Sequence, residues 1–138
     1  MKLILCLDDN NGMMFNKRRQ SQDKNLRLSI KDTVKDHLLY MNSYSYKLYN
    51  DIDDGNIIVD ENFLQKCENE NFALVEDLNL HEYTNNIDLI IVYKWNRVYP
   101  SDKKLDINLK DNIWTLISSE DFQGSSHDKI TKEIYRRK

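Results

Sequence analysis

The chain of 138 residues is long enough for one domain, which would bury roughly two thirds of its extended surface. Hydrophobic residues make up 40% of it, while glycine occurs 3 times and proline once, so the composition excludes a disordered or low-complexity chain. The net charge of −3 excludes a protein that holds nucleic acid through its overall electrostatic field. We therefore predict a single domain over residues 1–138, in which any anion site is local.

The two cysteines and the N-terminal segment indicate the compartment. Cys6 and Cys67 do not form the dense cysteine framework of a small secreted domain. The first apolar run ends at Asp8, which is far short of the roughly 20 residues of a membrane-spanning helix and unlike a signal peptide. We expect a cytoplasmic protein without membrane association. The abundance of Asn, Lys, Ile, Asp and Tyr suggests a bacterial source.

The first two predicted elements are a buried strand and a helix, joined by a polar loop. Residues 2–7 read KLILCL, an apolar run typical of a strand covered on both faces. The spacing of Leu26, Ile30 and Val34 predicts a helix that ends near residue 36, with Asp23 or Ser21 as its N-cap. Residues 8–22 form the loop between them.

The remaining elements alternate until the chain passes Pro100. We predict strands at 37–41, 56–59, 72–75 and 87–93, with helices at 42–51 and 61–69. Such alternation predicts a mostly parallel central sheet with flanking helices, an α/β fold. The segment around Trp114 and the period-two pattern from Ile130 to Arg136 predict a C-terminal antiparallel hairpin, with a terminal helix as the alternative.

These elements, in this order, resemble dihydrofolate reductase. The opening strand, the loop with Gly12 and Met13, and the carboxylate Asp23 at the start of the first helix resemble that family's first strand, mobile loop and catalytic acid. The segments at 38–46 and 90–99 stand where the family has its cofactor-binding turns, and the tail resembles its closing hairpin. The resemblance implies a dihydrofolate reductase-like fold.

The chain departs from that family at the positions that would hold NADPH. Lys94 and Trp95 replace two consecutive glycines, which would let backbone amides approach a pyrophosphate. Asn42 and Ser43 replace a Gly-Arg pair that would hold the cofactor's phosphate, and residues 17–20 replace a Leu-Pro-Trp motif. We therefore predict that the protein is not a functional NADPH-dependent reductase, and the sequence identifies no other cofactor.

The chain also resembles a group of short proteins from clostridia and related bacteria. They share FNxRRQSxD, a WNRxYP-like stretch and GSSHxKIT, and some of them carry the name ribonuclease Z. That enzyme holds zinc ions with a His-x-His-x-Asp-His cluster. Here His37, His81 and His127 lie far apart and outside such a motif, and no other metal-binding motif occurs, so we predict no metal site.

The loop before the first helix carries the strongest signal for a ligand. Arg18 and Arg19 provide two guanidinium groups, and Gln20 and Ser21 add neutral donors, a combination suited to a phosphate or carboxylate. The loop follows the first strand, at the edge where open α/β sheets bind ligands. The structural alternative is a solvated basic loop that offsets the nearby aspartates.

Asp23 and His127 are the two candidate catalytic residues. Asp23 is either a buried carboxylate with a raised pKa, which donates a proton or accepts hydrogen bonds from an amidine-like group, or only a helix cap. His127 is either a general acid or base or a turn residue that bonds its own backbone. Ser126, with Ser125, follows Gly124 and could bind an anion at that turn. Spacing alone assembles no group of nucleophile, base and acid.

Arg97 and Tyr99 follow the most apolar predicted strand. We expect them to face the same crevice as the loop that contains Arg18, with Trp95 as a stacking surface. The structural alternative is that Trp95 covers the sheet edge and Arg97 pairs with an acid.

We predict that the crevice binds a small anionic or nucleotide-like ligand. The alternatives are an interaction or regulatory module that binds a protein or RNA partner through residues 18–21, and an RNA-processing nuclease. Whether the protein catalyses a reaction is left open.

Overall fold

A computed structural model describes all residues 1–138, and its centre is a seven-stranded sheet. The strands are β1 Lys2–Leu7, β2 Gly12–Phe15, β3 Arg18–Arg19, β4 Leu39–Met41, β5 Ile57–Val59, β6 Phe72–Leu74, β7 Leu89–Lys94, β8 Lys103–Lys104, β9 Trp114–Phe122 and β10 Ile130–Arg137. The central sheet has the order β5-β4-β6-β1-β7-β10-β9. Only β10 pairs antiparallel, with β7 and with β9, so the mostly parallel sheet and its closing hairpin are confirmed.

Strand β1 lies at the centre of the sheet because its side chains are apolar on both faces. It pairs parallel with β6 on one side and with β7 on the other. Leu3 and Leu5 belong to the hydrophobic cluster on one face, and Ile4 belongs to the cluster on the opposite face. This alternation follows from the two-residue period of a strand, and it explains why all three side chains are fully buried.

The helices are α1 Lys24–Val34, α2 Ser43–Tyr49 and α3 Phe63–Lys66, with 3₁₀ turns at Asn50–Ile52 and His81–Asn86. Helix α1 buries Leu26, Ile30 and Val34, as the sequence predicted. Of its two candidate caps, Asp23 is the N-cap, since its carboxylate accepts a hydrogen bond from the Leu26 N–H. No helix is both long and apolar enough to cross a membrane.

Several predicted elements are shorter in the structure. The strand predicted at 37–41 begins at Leu39, because the His37 N–H bonds the Val34 carbonyl and closes the preceding helix. The helix predicted at 61–69 is the single turn α3, after which Cys67 is extended. The terminal-helix alternative is wrong, because β10 forms ladders with two neighbouring strands.

A small second sheet, formed by two strands of the polar loop and by β8, was not predicted. Strands β3, β2 and β8 form a three-stranded antiparallel sheet, in which Phe15 pairs with Arg18 and Met14 pairs with Arg19. Asn16 and Lys17 have φ values of 52° and 61°, the left-handed conformation that a two-residue hairpin turn requires. The loop is therefore an ordered hairpin that presents Phe15 and Arg18 together.

We predict that Leu5→Ala, at the centre of β1, lowers the free energy of unfolding by about 2–5 kcal/mol, because it leaves a cavity where the side chain is fully buried. The matched control is Leu116→Ala on the outer strand β9, where the side chain is 48% exposed and the expected change stays within about 0.5 kcal/mol. Urea unfolding at pH 7 measures both. Equal losses in the two variants would contradict the central position of β1.

Candidate functional site

Polar side chains gather where the parallel strands of the central sheet end. Asp8 follows β1, Asn42 follows β4, and Glu76 lies two residues after β6. All three are buried. The chain after β7 returns to the same edge through Tyr99, whose backbone N–H bonds Asp8. The site therefore lies at the carboxyl edge of the parallel strands, where open α/β sheets form their crevices.

The buried carboxylate of Asp8 holds the two sides of this edge together. One oxygen accepts hydrogen bonds from the N–H groups of Asn10, at 2.9 Å, and Gly12, at 2.7 Å. The other accepts from the Gln20 amide at 3.2 Å and the Tyr99 N–H at 3.0 Å. Burial opposes the charge, but the hydrogen bonds outweigh burial and lower the pKa of Asp8, so the carboxylate is ionised at neutral pH.

An open cleft of about 500 Å³ lies between the β2–β3 hairpin and the segment after β7. Its lining residues are Phe15, Asn16, Arg18, Arg19, Gln20, Tyr99 and Pro100. Arg18 is exposed, and its side chain forms no hydrogen bond or ion pair within the chain. The Gln20 side-chain oxygen is buried without a hydrogen-bond partner. The cleft thus contains one free cation.

The second arginine of the hairpin is engaged by the protein itself. Arg19 donates two parallel hydrogen bonds to Glu76, at 2.8 and 2.9 Å, and its guanidinium stacks on the Tyr44 ring at 4.6 Å. Glu76 also accepts from the Ser45 hydroxyl at 2.8 Å. Because the charges of Arg19 and Glu76 cancel, Arg19 lines the cleft as a positioned donor surface rather than as a free charge.

Next to the cleft, Asp23 binds the turn of the C-terminal hairpin. Its carboxylate accepts from the backbone N–H groups of Ser125, at 3.0 Å, and Ser126, at 2.9 Å, and from His127 Nδ1, at 2.9 Å. Burial opposes the charge, yet these hydrogen bonds together hold the pKa of Asp23 well below its usual range. The predicted raised pKa is therefore wrong, and Asp23 is an ionised acceptor rather than a proton donor.

The hydrogen bond to Asp23 sets the tautomer of His127. Since an ionised carboxylate only accepts, Nδ1 carries a proton, so in the neutral ring it is Nε2 that has the lone pair. Nε2 faces the Ser21 hydroxyl at 3.0 Å and the Tyr99 hydroxyl at 3.2 Å. The imidazole is buried and packs on the Trp95 ring, with the ring centroids 4.7 Å apart. His127 therefore bonds other side chains, unlike the predicted alternative in which it bonds its own backbone.

The structure brings most of the predicted site residues to this edge. Four of them line the cleft: Arg18, Arg19, Gln20 and Tyr99. Four others form the adjacent hydrogen-bond network: Ser21, Asp23, Ser126 and His127. Tyr99 joins the two groups through Asp8 on one side and His127 on the other. Arg97 is exposed and outside the cleft, although its carbonyl accepts from the Asp9 N–H at 2.9 Å.

The anion that Ser125 and Ser126 bind is the protein's own carboxylate. Both serine N–H groups and the Ser126 hydroxyl donate to Asp23. A Cβ atom at Gly124 would overlap Asp23 Oδ2 and would lie 2.8 Å from the His127 carbonyl oxygen. Glycine is therefore required at this turn by the close approach of the carboxylate.

Two organising residues, Asp8 and Glu76, were not identified as site residues from the sequence. Each follows a buried parallel strand, by one residue after β1 and by two after β6. The sequence feature that could have identified them is a charged residue just after an apolar strand, where the chain enters the crevice.

No protein-family model matches the chain, and no curated protein matches its sequence. Among solved structures, it is similar to a dihydrofolate reductase from Enterococcus faecalis complexed with NADP(H) and RAB-propyl. The TM-score is 0.68, the sequence identity is 9%, and the match covers 99% of this chain and 95% of that one. The chain thus has a dihydrofolate reductase-like fold, as the sequence predicted, and an identity this low shows the fold alone.

We predict that Asp23→Asn lowers the free energy of unfolding at pH 7 by about 3 kcal/mol, because buried donors lose their charged acceptor. The folded-state pKa of Asp23 is depressed, so its stabilisation is present above the unfolded pKa of about 3.9 and is lost as the pH falls through that value toward the folded pKa. Urea unfolding at pH 7 and pH 3 measures this change.

The control for this experiment is Asp32→Asn on α1, where the aspartate is exposed and forms no hydrogen bond. Its stability should stay within about 0.5 kcal/mol of the wild type at pH 7. The difference between Asp23→Asn and wild type should shrink at pH 3. A difference that is equally large at both pH values would contradict the ionised state of Asp23.

Proposed function

We propose that the cleft between the β2–β3 hairpin and Tyr99 binds a small anionic ligand of nucleotide-like character. The observation that carries this proposal is the state of Arg18, an exposed cation that lines the cleft and has no acidic partner in the chain. An unpaired guanidinium in a concave site attracts a phosphate or carboxylate, which it binds through two parallel hydrogen bonds.

The local charges favour an anion even though the chain as a whole is acidic. Glu76 is neutralised by Arg19, and Asp8 is buried and accepts four hydrogen bonds. Among the side chains that line the cleft, the one charge without a partner is that of Arg18. A ligand that bonds Arg18 directly is close enough to escape most of the screening by salt.

The other lining groups match a ligand that combines an anion with a polar ring. Phe15 is 40% exposed, and Tyr99 also lines the cleft, so two aromatic residues are available to a planar group. The exposed side-chain amide of Asn16, which forms no hydrogen bond within the chain, can donate to or accept from a nucleobase or a sugar hydroxyl. These features favour a nucleotide over inorganic phosphate.

NADPH does not fit the turns where the resembled reductase family holds its cofactor. The Trp95 N–H donates to the Leu7 carbonyl at 3.0 Å, and the Trp95 side chain is buried, so this amide is not available to a pyrophosphate. The Asn42 side chain caps α2 by accepting from the Ser45 N–H, and it also donates to Asp77. These engaged groups support a role other than NADPH-dependent reduction.

A second candidate function is an interaction or regulatory module that binds a protein or RNA partner through the hairpin. The observation in its favour is that Phe15, Lys17 and Arg18 are all exposed at the hairpin tip. An aromatic ring next to two cations suits an RNA base and its phosphates. The cleft proposal differs because it also requires a contact with the half-buried Tyr99, which lines the cleft on the segment after β7 and not at the hairpin tip.

We predict that a nucleoside monophosphate raises the melting temperature of the protein and that Arg18→Ala weakens its binding about 10- to 100-fold, the loss expected when a charge-assisted hydrogen-bond pair is removed. Thermal-shift screening with AMP, GMP, inorganic phosphate and NADPH, followed by calorimetric titration, measures the effect. NADPH should raise the melting temperature no more than the mononucleotides do.

The matched control is Arg136→Ala, which removes the same charge from β10 at the opposite edge of the sheet, beside the start of β7. It should bind as the wild type does. If both variants weakened nucleotide binding equally, the loss would reflect net charge alone and would contradict a binding site in the cleft. Binding of single-stranded RNA oligomers with no response to mononucleotides would favour the interaction module instead.

A further inference from the structure

We propose that Ser21, His127 and Asp23 form an acyl-transfer site that hydrolyses carboxylic esters. The Ser21 hydroxyl oxygen lies 3.0 Å from His127 Nε2, and His127 Nδ1 lies 2.9 Å from the Asp23 carboxylate. Hydroxyl, imidazole and carboxylate thus follow one another in the order that activates a serine nucleophile. This inference is independent of the proposed anionic ligand, because it rests on the network beside the cleft.

Each member of the network is in the state that the reaction requires. The Asp23 carboxylate receives N–H donors from three backbone groups and from Nδ1, so it acts as an acceptor. Nδ1 therefore holds a proton, and in the neutral ring Nε2 has a lone pair that faces the hydroxyls of Ser21 and Tyr99. The Asp23 carboxylate also stabilises the imidazolium that forms when Nε2 takes up a proton.

Burial decreases from the acid to the nucleophile. The side chains of Asp23 and His127 are 0% and 5% exposed, whereas Ser21 is half-buried. Trp95 covers one face of the imidazole and restrains its rotation. The base is thus shielded and oriented, while the residue that carries the nucleophile is partly exposed to solvent.

The reaction is balanced with the groups in the network and one water molecule. The Ser21 oxygen bonds the ester carbonyl carbon as its proton passes to Nε2, and the C–O bond to the leaving alcohol then breaks as Nε2 protonates that oxygen. Water attacks the acyl-serine, its proton passes to Nε2, and the Ser21 oxygen departs with that proton to leave a carboxylic acid. The Tyr99 hydroxyl, 3.2 Å from Nε2, is the second hydroxyl that this nitrogen contacts.

Diisopropyl fluorophosphate tests this site on the intact protein, because it loses fluoride to an activated serine and leaves a mass adduct. The probe is uncharged, so its reaction does not require an anion site at Arg18. We predict one adduct, on the peptide that contains Ser21, and labelling that is about 100-fold slower or more in Ser21→Ala and His127→Asn. Wild type should also hydrolyse p-nitrophenyl acetate with a burst of p-nitrophenol.

The matched control is Ser118→Ala on the outer strand β9, where the serine is exposed and lies outside the network. It should be labelled as fast as wild type. His127→Asn is chosen because the asparagine amide can still donate to Asp23, and Ser21→Ala removes a single hydroxyl; circular dichroism checks that both are folded. No labelling of folded wild type, or equal labelling of wild type and Ser21→Ala, would overturn the proposal.

Discussion

The carboxylate of Asp23 joins two segments that are 104 residues apart in the chain. It caps the first helix through the Leu26 N–H, and it receives the turn of the C-terminal hairpin through Ser125, Ser126 and His127. A buried anion is stable only when its donors are complete, so the helix start and the hairpin turn must keep their relative positions. The orientation of the His127 ring, and thereby the hydrogen bond to Ser21, depends on this constraint.

A second buried carboxylate, that of Asp8, joins the segments on the two sides of the cleft. Asp8 bonds its own loop, the Gln20 side chain and the Tyr99 backbone, and Tyr99 in turn bonds His127. The cleft and the serine–histidine–aspartate network are therefore parts of one hydrogen-bonded assembly at the carboxyl edge of the sheet. A ligand that moves Tyr99 would act on both. The dihydrofolate reductase-like fold supplies this edge, whereas any function depends on the side chains that occupy it.

Much of the fold could be predicted because it is encoded by neighbouring residues. The apolar run of β1 and the spacing of Leu26, Ile30 and Val34 each report a local period, and both predictions were confirmed. Short elements were less predictable: α3 has one turn, and the β2–β3 hairpin lies where a loop was predicted. Both turn residues have positive φ, which asparagine tolerates at Asn16, but Lys17 stands where such a turn usually has glycine.

The residues at the carboxyl edge could be identified from the sequence, since strand order and period bring the loop after β1 there. Which of their side chains are free to bind a ligand depends on contacts between segments that are distant in the chain. Arg18 and Arg19 are adjacent and chemically identical. Only Arg19 has an acidic partner, Glu76, which lies two residues after β6, so Arg18 is unpaired. Likewise, Ser125 and Ser126 bind Asp23 and not an external anion. Periodic patterns depend on residues that are close in sequence, whereas the partner of a charged side chain depends on how distant segments pack together.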